Sequence, residues 1–226
     1  MKKDITVFIF GAGSQIARNT FKNLNDYNII GFTKHSKTNS IKEYKSIKIK
    51  TINDAKKIIS KTNSKKIVLV FMETLSFSKL ILNKNENEYY KEIEVGIINP
   101  HKIIKFLLPR MLKNKWGRII FFGSSRALKT DVGISGYSVS KFAGLAYCKS
   151  LSKEYGNHGV TSNYIRLGLF KSPLLKKVKK NTLKKLLEDT DTKSLGDFES
   201  LKNALDFIIK SKYVTGSIIP VDGGFN

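Results

Sequence analysis

Ile5-Thr6-Val7-Phe8-Ile9-Phe10 runs directly into Gly11-Ala12-Gly13-Ser14-Gln15-Ile16-Ala17. The first six residues are a short, largely apolar run rich in β-branched and aromatic side chains, which predicts a buried strand. The glycines then supply a tight turn, and residues 15–24 have helical periodicity. Strand, glycine turn and helix in this order are where a doubly wound sheet takes up a dinucleotide. Small residues let the backbone approach the pyrophosphate, and the helix N-terminus aims N–H groups at it. The match to G-x-G-x-x-G is partial: Gly11 and Gly13 fit its first two glycines, Ile16 holds the third place, and Ala17 comes one position late. At this point a tight turn with no ligand is an open alternative.

The same rhythm continues along the chain. Short apolar runs recur at 27–32, 67–71, 118–122 and 160–167, separated mostly by segments with helical periodicity at 55–61, 88–112, 138–155 and 198–210. Asp197 is placed to cap the last helix. This alternation predicts an α/β fold, a three-layer doubly wound parallel sheet covered on both faces. No repeat, Pro/Gly-rich linker or low-complexity block divides the chain, so residues 1–226 are read as a single domain.

Composition narrows the function classes. The one cysteine, Cys148, forms no intramolecular disulfide, and the three histidines lie too far apart in sequence for a zinc set, so no metal is expected. Cys148 falls in an expected helix and is read as a buried thiol in a reduced, cytoplasmic setting. No apolar run approaches the ~20 residues that span a bilayer. Met1-Lys2-Lys3 before an apolar run resembles a signal peptide, but the run is short and enters a glycine turn. The net charge of +23 invites a nucleic-acid reading, yet the excess is 36 Lys against 5 Arg, and no nucleic-acid-binding motif is present. A solvated lysine surface is the simpler account, with neither nucleic acid nor membrane as partner.

Tyr137-Ser138-Val139-Ser140-Lys141 puts a phenol and an ammonium one helical turn apart. A neighbouring cation favours the phenolate, so the pair suits proton transfer to or from an alcohol oxygen. Ser124 stands thirteen residues earlier. Residues 213–224 close the chain as Tyr-Val-Thr-Gly-Ser-Ile-Ile-Pro-Val-Asp-Gly-Gly.

Taken together, these segments resemble the short-chain dehydrogenase/reductase family in its short single-domain branch, over nearly the whole length. Residues 11–17 are similar to its T-G-x-x-x-G-x-G turn. Residues 113–120 resemble the lead-in to its serine-bearing strand, and 215–224 its T-G-x-x-x-x-V-D-G-G close. The resemblance implies a Rossmann fold and an NAD(P)-dependent oxidoreductase that moves hydride between nicotinamide and a carbonyl or secondary alcohol. Ser124, Tyr137 and Lys141 become the catalytic residues, with Tyr137 as acid/base and Lys141 also on the nicotinamide ribose. Gly11, Gly13, Ser14, Gln15, Ile16, Gly168 and Ser172 become cofactor contacts, Ser172 for the carboxamide; a helix cap before Pro173 is the other reading of Ser172.

The departures are specific. Phe10 replaces the initial Thr of the turn, and Gln15 and Ala17 its second and third Gly. Phe71-Met72-Glu73-Thr74 replaces N-N-A-G. The Asn that completes the family's proton relay falls on Gly96, with Asn99 nearly one turn on, and Leu167 replaces the Pro of P-G. Either the enzyme has moved to an unusual substrate, or it is a catalytically impaired member that binds a dinucleotide or a partner.

In this family an acid ending the second strand favours NAD, and a base there favours NADP by pairing its 2′-phosphate. Here Thr33-Lys34-His35 follows Phe32, so NADP(H) is expected to be preferred, with Lys34 on the phosphate and NAD(H) still usable. A substrate lid is expected at 171–192. Residues 171–185 hold seven Lys and no acid, with leucines at helical spacing. Such a lid fits a 3-oxoacyl-carrier-protein-reductase-like activity, a sugar or another anionic substrate; an amphipathic helix with a solvated face is the alternative. The resemblance also implies a homodimer or homotetramer paired through 88–112 and 138–155.

Overall fold

The computed structural model describes residues 4–22, 24–34, 44–172, 175, 178 and 180–225. His35 and several residues of the expected lid, Pro173 among them, lie outside the described residues.

Seven strands form one parallel sheet in the order β3-β2-β1-β4-β5-β6-β7. They are β1 (Ile5–Phe10), β2 (Asn28–Thr33), β3 (Lys45–Lys48), β4 (Lys66–Phe71), β5 (Gly117–Phe122), β6 (Val160–Leu167) and β7 (Ile218–Val221). The helices are α1 (Gln15–Phe21), α2 (Ile52–Ser60), α3 (Glu86–Ile93), α4 (Asn99–Lys113), α5 (Ser125–Lys129), α6 (Ser135–Tyr155), α7 (Lys180–Glu188) and α8 (Phe198–Lys210). The predicted α/β doubly wound architecture is what forms. Asp197 caps α8 by accepting from Ser200 N, and Cys148 is buried in α6.

Three differences stand out. The sheet gains β3 and β7 at its edges. The helix expected at 88–112 is α3 and α4 joined by a π turn at Glu94–Ile98. Helix α6 begins three residues before the expected 138, so Tyr137 lies inside it.

Strand alternation sorts the core into two layers. Phe8, Phe10, Phe32 and Phe121 face α2, α4 and α6, packing with Ile59, Ile103, Leu107 and Leu151. Val7, Ile9, Val68 and Val70 face α1 and α8, packing with Phe21, Leu201, Leu205 and Ile208. Each of these side chains contributes about 1.5–3 kcal/mol by leaving water.

On the first face, β2, β1, β4 and β5 align Phe32, Phe10, Phe71 and Phe121 in register. Successive ring centroids are 5.1, 5.3 and 5.3 Å apart. Phe10 and Phe71 are two of the departures noted in the sequence, and the ladder gives both one explanation. The two positions carry interlocking aromatic packing where the family pattern carries Thr and Asn. Such pairs add about 0.5–1.5 kcal/mol beyond burial.

Candidate active site

Because β1 lies between β2 and β4, the winding reverses at the β1–β4 junction, and a crevice opens beyond the carboxyl ends of the strands. The segments ending there carry the Gly11 turn after β1, Lys34 after β2, Glu73 after β4, Ser124 after β5 and Gly168 after β6. The predicted residues therefore converge on one edge of the sheet.

Gly11 has φ +91°, and a Cβ on it would lie 2.8 Å from Glu73 N and 2.9 Å from Met72 C, so both conformation and space demand glycine. The amides of Gly11 and Ala12 both donate to Phe32 O at 3.1 Å, and Ser14 N donates to Gly11 O at 3.2 Å. Ser14 Oγ caps α1 by accepting from Ala17 N at 3.0 Å. Among the described residues, the amides of Gly13 and of Gln15 and Ile16 in the first turn of α1 have no acceptor within the chain. Converging backbone donors of this kind fit the phosphate oxygens of a dinucleotide. The turn is propped from below by Tyr44, whose hydroxyl donates to Ala12 O at 2.8 Å.

Ser124 occupies the N-cap position of α5 in extended conformation, but its side chain caps nothing. Tyr137 and Lys141 lie one turn apart in α6, with Lys141 Nζ 5.9 Å from the Tyr137 ring centroid. Only 8% of Lys141 is exposed. Its ammonium donates to Phe122 O at 2.9 Å and to Glu73 O at 3.4 Å, tying α6 to the ends of β5 and β4. Burial pushes this lysine down to about 8, and the Glu73 charge opposes the shift. Burial pushes Glu73 up, against the pull of Lys34 and Lys141. Glu73 thus lies within electrostatic reach of both Lys34, expected at the 2′-phosphate, and Lys141, expected in the chemistry. Its only sequence signal was an acid in place of the Ala of N-N-A-G.

A buried network lies behind the first turn of α6. Glu92 pairs with Lys84 at 2.7 Å with both side chains essentially buried, and it accepts from Phe77 N at 2.7 Å. Gly136 makes room for this carboxylate, since a Cβ there would lie 1.9 Å from Glu92 Oε2. The pair fixes the 72–80 loop and α3 against the first turn of α6. Nothing in residues eight apart announces such a contact.

The closing V-D-G-G is a structural knot. Asp222 accepts from Ser125 Oγ at 2.8 Å and from Arg166 Nε at 2.6 Å, and Gly168 packs on its backbone. Ser172 Oγ accepts from Leu175 N at 3.3 Å, a capping contact that leaves its O–H able to donate. Gly96 lies in the π turn, and a Cβ on it would approach Ser140 Cβ to 2.6 Å. Ser140 therefore occupies the space a relay Asn side chain would need. Asn99 is buried at 3% exposure.

A family model described as enoyl-(acyl carrier protein) reductase matches residues 59–226. The chain belongs to the short-chain dehydrogenase/reductase family. Membership makes it an NAD(P)-dependent oxidoreductase. It is 29% identical over 230 residues to the 3-oxoacyl-(acyl-carrier-protein) reductase FabG of Buchnera aphidicola subsp. Acyrthosiphon pisum, covering 99% of this chain and 88% of that one. To the FabG of Buchnera aphidicola subsp. Baizongia pistaciae it is 30% identical over 148 residues, 65% of this chain and 60% of the relative. A solved 4-hydroxyisoleucine dehydrogenase, complexed with NADH, superposes with a TM-score of 0.83 over 98% of each chain at 18% identity, which shows a shared fold. Among the described residues no helix is long and apolar enough to cross a membrane, and no group of side chains could hold a metal ion.

Proposed function

We propose that this protein is an NADPH-preferring carbonyl reductase acting on an anionic, carrier-linked 3-oxoacyl substrate. The observation that carries the proposal is the convergence of Ser124, whose hydroxyl caps nothing, Tyr137 and buried Lys141 beside a turn with free amides. The cofactor, when bound, supplies the hydride. The amides of Gly13, Gln15 and Ile16 hold its pyrophosphate, and Gly11 and Gly168 keep the backbone close. Ser124 donates a hydrogen bond to the substrate oxygen and orients it. Tyr137 gives that oxygen its proton, and the Lys141 charge beside the ring favours the proton's departure.

Lys34 pairs the 2′-phosphate, which makes NADPH the better cofactor. Turnover with NADPH and NADH tests this directly, and equal rates count against it. The lid reading at 171–192 is supported by its anchors: Phe170 bridges Gly196, Thr190 bridges Phe225, and α7 between them has no buried residue. Lysines on that segment attract an anionic carrier, so KM should rise with ionic strength; a flat salt profile removes the anionic substrate. Exposed Ile98 in the π turn, Phe106 on α4, and Val139 and Phe142 on α6 support pairing into a homodimer or homotetramer, which light scattering reads. A single buried thiol fits a cytoplasmic setting. NADPH binding with no turnover on any carbonyl would instead favour the impaired-member reading, which Gly96 and Glu73 motivate.

A further inference from the structure

Residue 73 stands where a dinucleotide in this crevice has to pass. Met72 N donates to Phe10 O at 2.9 Å, which carries the β1–β4 pairing one residue past both strands. Glu73 comes next. Its amide nitrogen lies 2.8 Å from the position a Cβ on Gly11 would take, and its carbonyl accepts from Lys141 Nζ at 3.4 Å. The phosphate turn is on one side of this residue, and the lysine expected at the nicotinamide ribose is on the other. A cofactor laid from the free amides of the turn to Lys141 therefore crosses Glu73. The side chain is half-buried. Burial pushes its carboxyl up, and the charges of Lys34 and Lys141 pull it down. Where the family pattern has Ala, this chain puts an ionisable group beneath the cofactor.

We propose that Glu73 is a cofactor-binding residue whose carboxyl takes up a proton when the dinucleotide binds, so that the crevice holds its cofactor more tightly as the pH falls. This rests on the dinucleotide site of the proposed function and not on its chemistry. In the free protein the two lysine charges favour the carboxylate. A dinucleotide claims them, Lys141 through a ribose hydroxyl and Lys34 through the 2′-phosphate where there is one. It also brings the charges of its pyrophosphate and displaces water from the crevice. Each of these changes disfavours a further anion at residue 73. The protonated carboxyl donates one hydrogen bond to a ribose or phosphate oxygen and keeps capacity to accept another. One proton passes from solvent to the carboxylate, and no other bond changes.

Among the described residues, the charges acting on this carboxyl are Lys34 beyond β2 and Lys141 on α6. Tyr137 stands beside that lysine, and Tyr164 on β6 borders the same small cavity as Glu73. The π turn and α4 bring only Val95, Gly96 and Pro100 to it, none of them titratable. The sign follows from linkage. The bound protein's Glu73 ionises at a higher pH than the free protein's. Below the lower of these two values both states hold the proton and affinity is flat. Between them affinity falls as pH rises, by at most about tenfold per unit.

NADH is the probe, because it lacks the 2′-phosphate, whose own ionisation near pH ~6 would obscure the result. Its dissociation constant is measured by fluorescence between about pH 5 and 7, where Lys141, at about 8, keeps its charge. Wild type is compared with Glu73→Gln and with Glu73→Ala, which restores the residue of the family pattern. The wild-type constant should rise roughly 3–10-fold over this range, and those of both variants much less. Groups common to the three proteins, His35 among them, cancel in the comparison. Calorimetry in two buffers of different ionisation heat reads the proton itself. Wild type should take up a measurable fraction of a proton per NADH, and each variant less. Equal pH dependence in all three proteins overturns the proposal. So does a wild type that takes up no proton, whether or not the variants fold. Failure to bind either NADH or NADPH overturns it as well. Binding with proton uptake but no turnover of any carbonyl sinks the reductase reading alone.

Discussion

The two halves of the sheet's carboxyl edge have diverged to different degrees. On the β5–α6–β7 side, Ser124, Tyr137, Lys141 and Asp222 match the family pattern, with Leu167 in place of its Pro as the departure on that side. On the β1–β2–β4 side, Phe10, Gln15, Phe71 and Glu73 do not. On the proposed function, the first half works through single atoms: a hydroxyl, a phenol and an ammonium, each needed at one point. The second half works through backbone amides and shape. Side chains there were free to change, provided the turn survived and the interior repacked, and the phenylalanine ladder is that repacking.

Tyr137→Phe should break the first half most severely. On its proposed role as acid/base, losing the hydroxyl is expected to lower kcat by about 10²–10⁴-fold, with the melting temperature nearly unchanged. A stopped-assay rate within threefold of wild type would remove Tyr137 from the chemistry and leave the two halves equally altered.

The next largest effect concerns what holds that half in place. Lys84→Met leaves the Glu92 charge buried without its ion partner and should cost about 3–5 kcal/mol in urea unfolding. Adding Glu92→Leu should return much of the loss, because the uncompensated charge then disappears. If the single variant is neutral, the pair does not support the start of α6.

Phe10→Thr restores the family residue on the altered half. Because Phe10 is 1% exposed and stacked on two neighbours, the change should cost about 3 kcal/mol. Combining it with Phe71→Asn should cost less than the sum of the singles, since the rings share a contact. Strict additivity would mean that the two departures are independent.

The asymmetry also explains what was legible in the sequence. Strand β1, its turn and the Tyr137–Lys141 spacing could be read because periodicity and short motifs are local. Strand β3 could not: Lys-Ser-Ile-Lys carries the edge lysines that discourage further pairing and shows little β pattern. Strand β7 hides behind Pro220, tolerable because the strand is at the edge. The π turn at Glu94–Ile98 adds a residue to a turn without a local sign, so 88–112 read as one helix. The phenylalanine ladder and the Lys84–Glu92 pair depend on contacts between separate segments, which spacing along the chain does not encode.

The smallest expected effect tests whether the half that keeps the family motif is held at a cost. The folded chain lowers Lys141 from 10.5 to about 8, chiefly by burial. Below that value both folded and unfolded chains hold the proton, and the fold bears the full burden of a buried charge. Between about 8 and 10.5 the unfolded chain binds more protons, so this group makes stability rise with pH, by at most ~1.4 kcal/mol per unit. Lys141→Met removes the titration. Its stability relative to wild type should therefore be most favourable near neutral pH and decline as pH rises past 8, while turnover is lost throughout. Urea unfolding of both proteins at about pH 7, 8.5 and 9.5 reads the difference, and groups common to both cancel. Parallel curves would mean that Lys141 is not desolvated. The proton-handling half would then be no more strained than the half that was free to change.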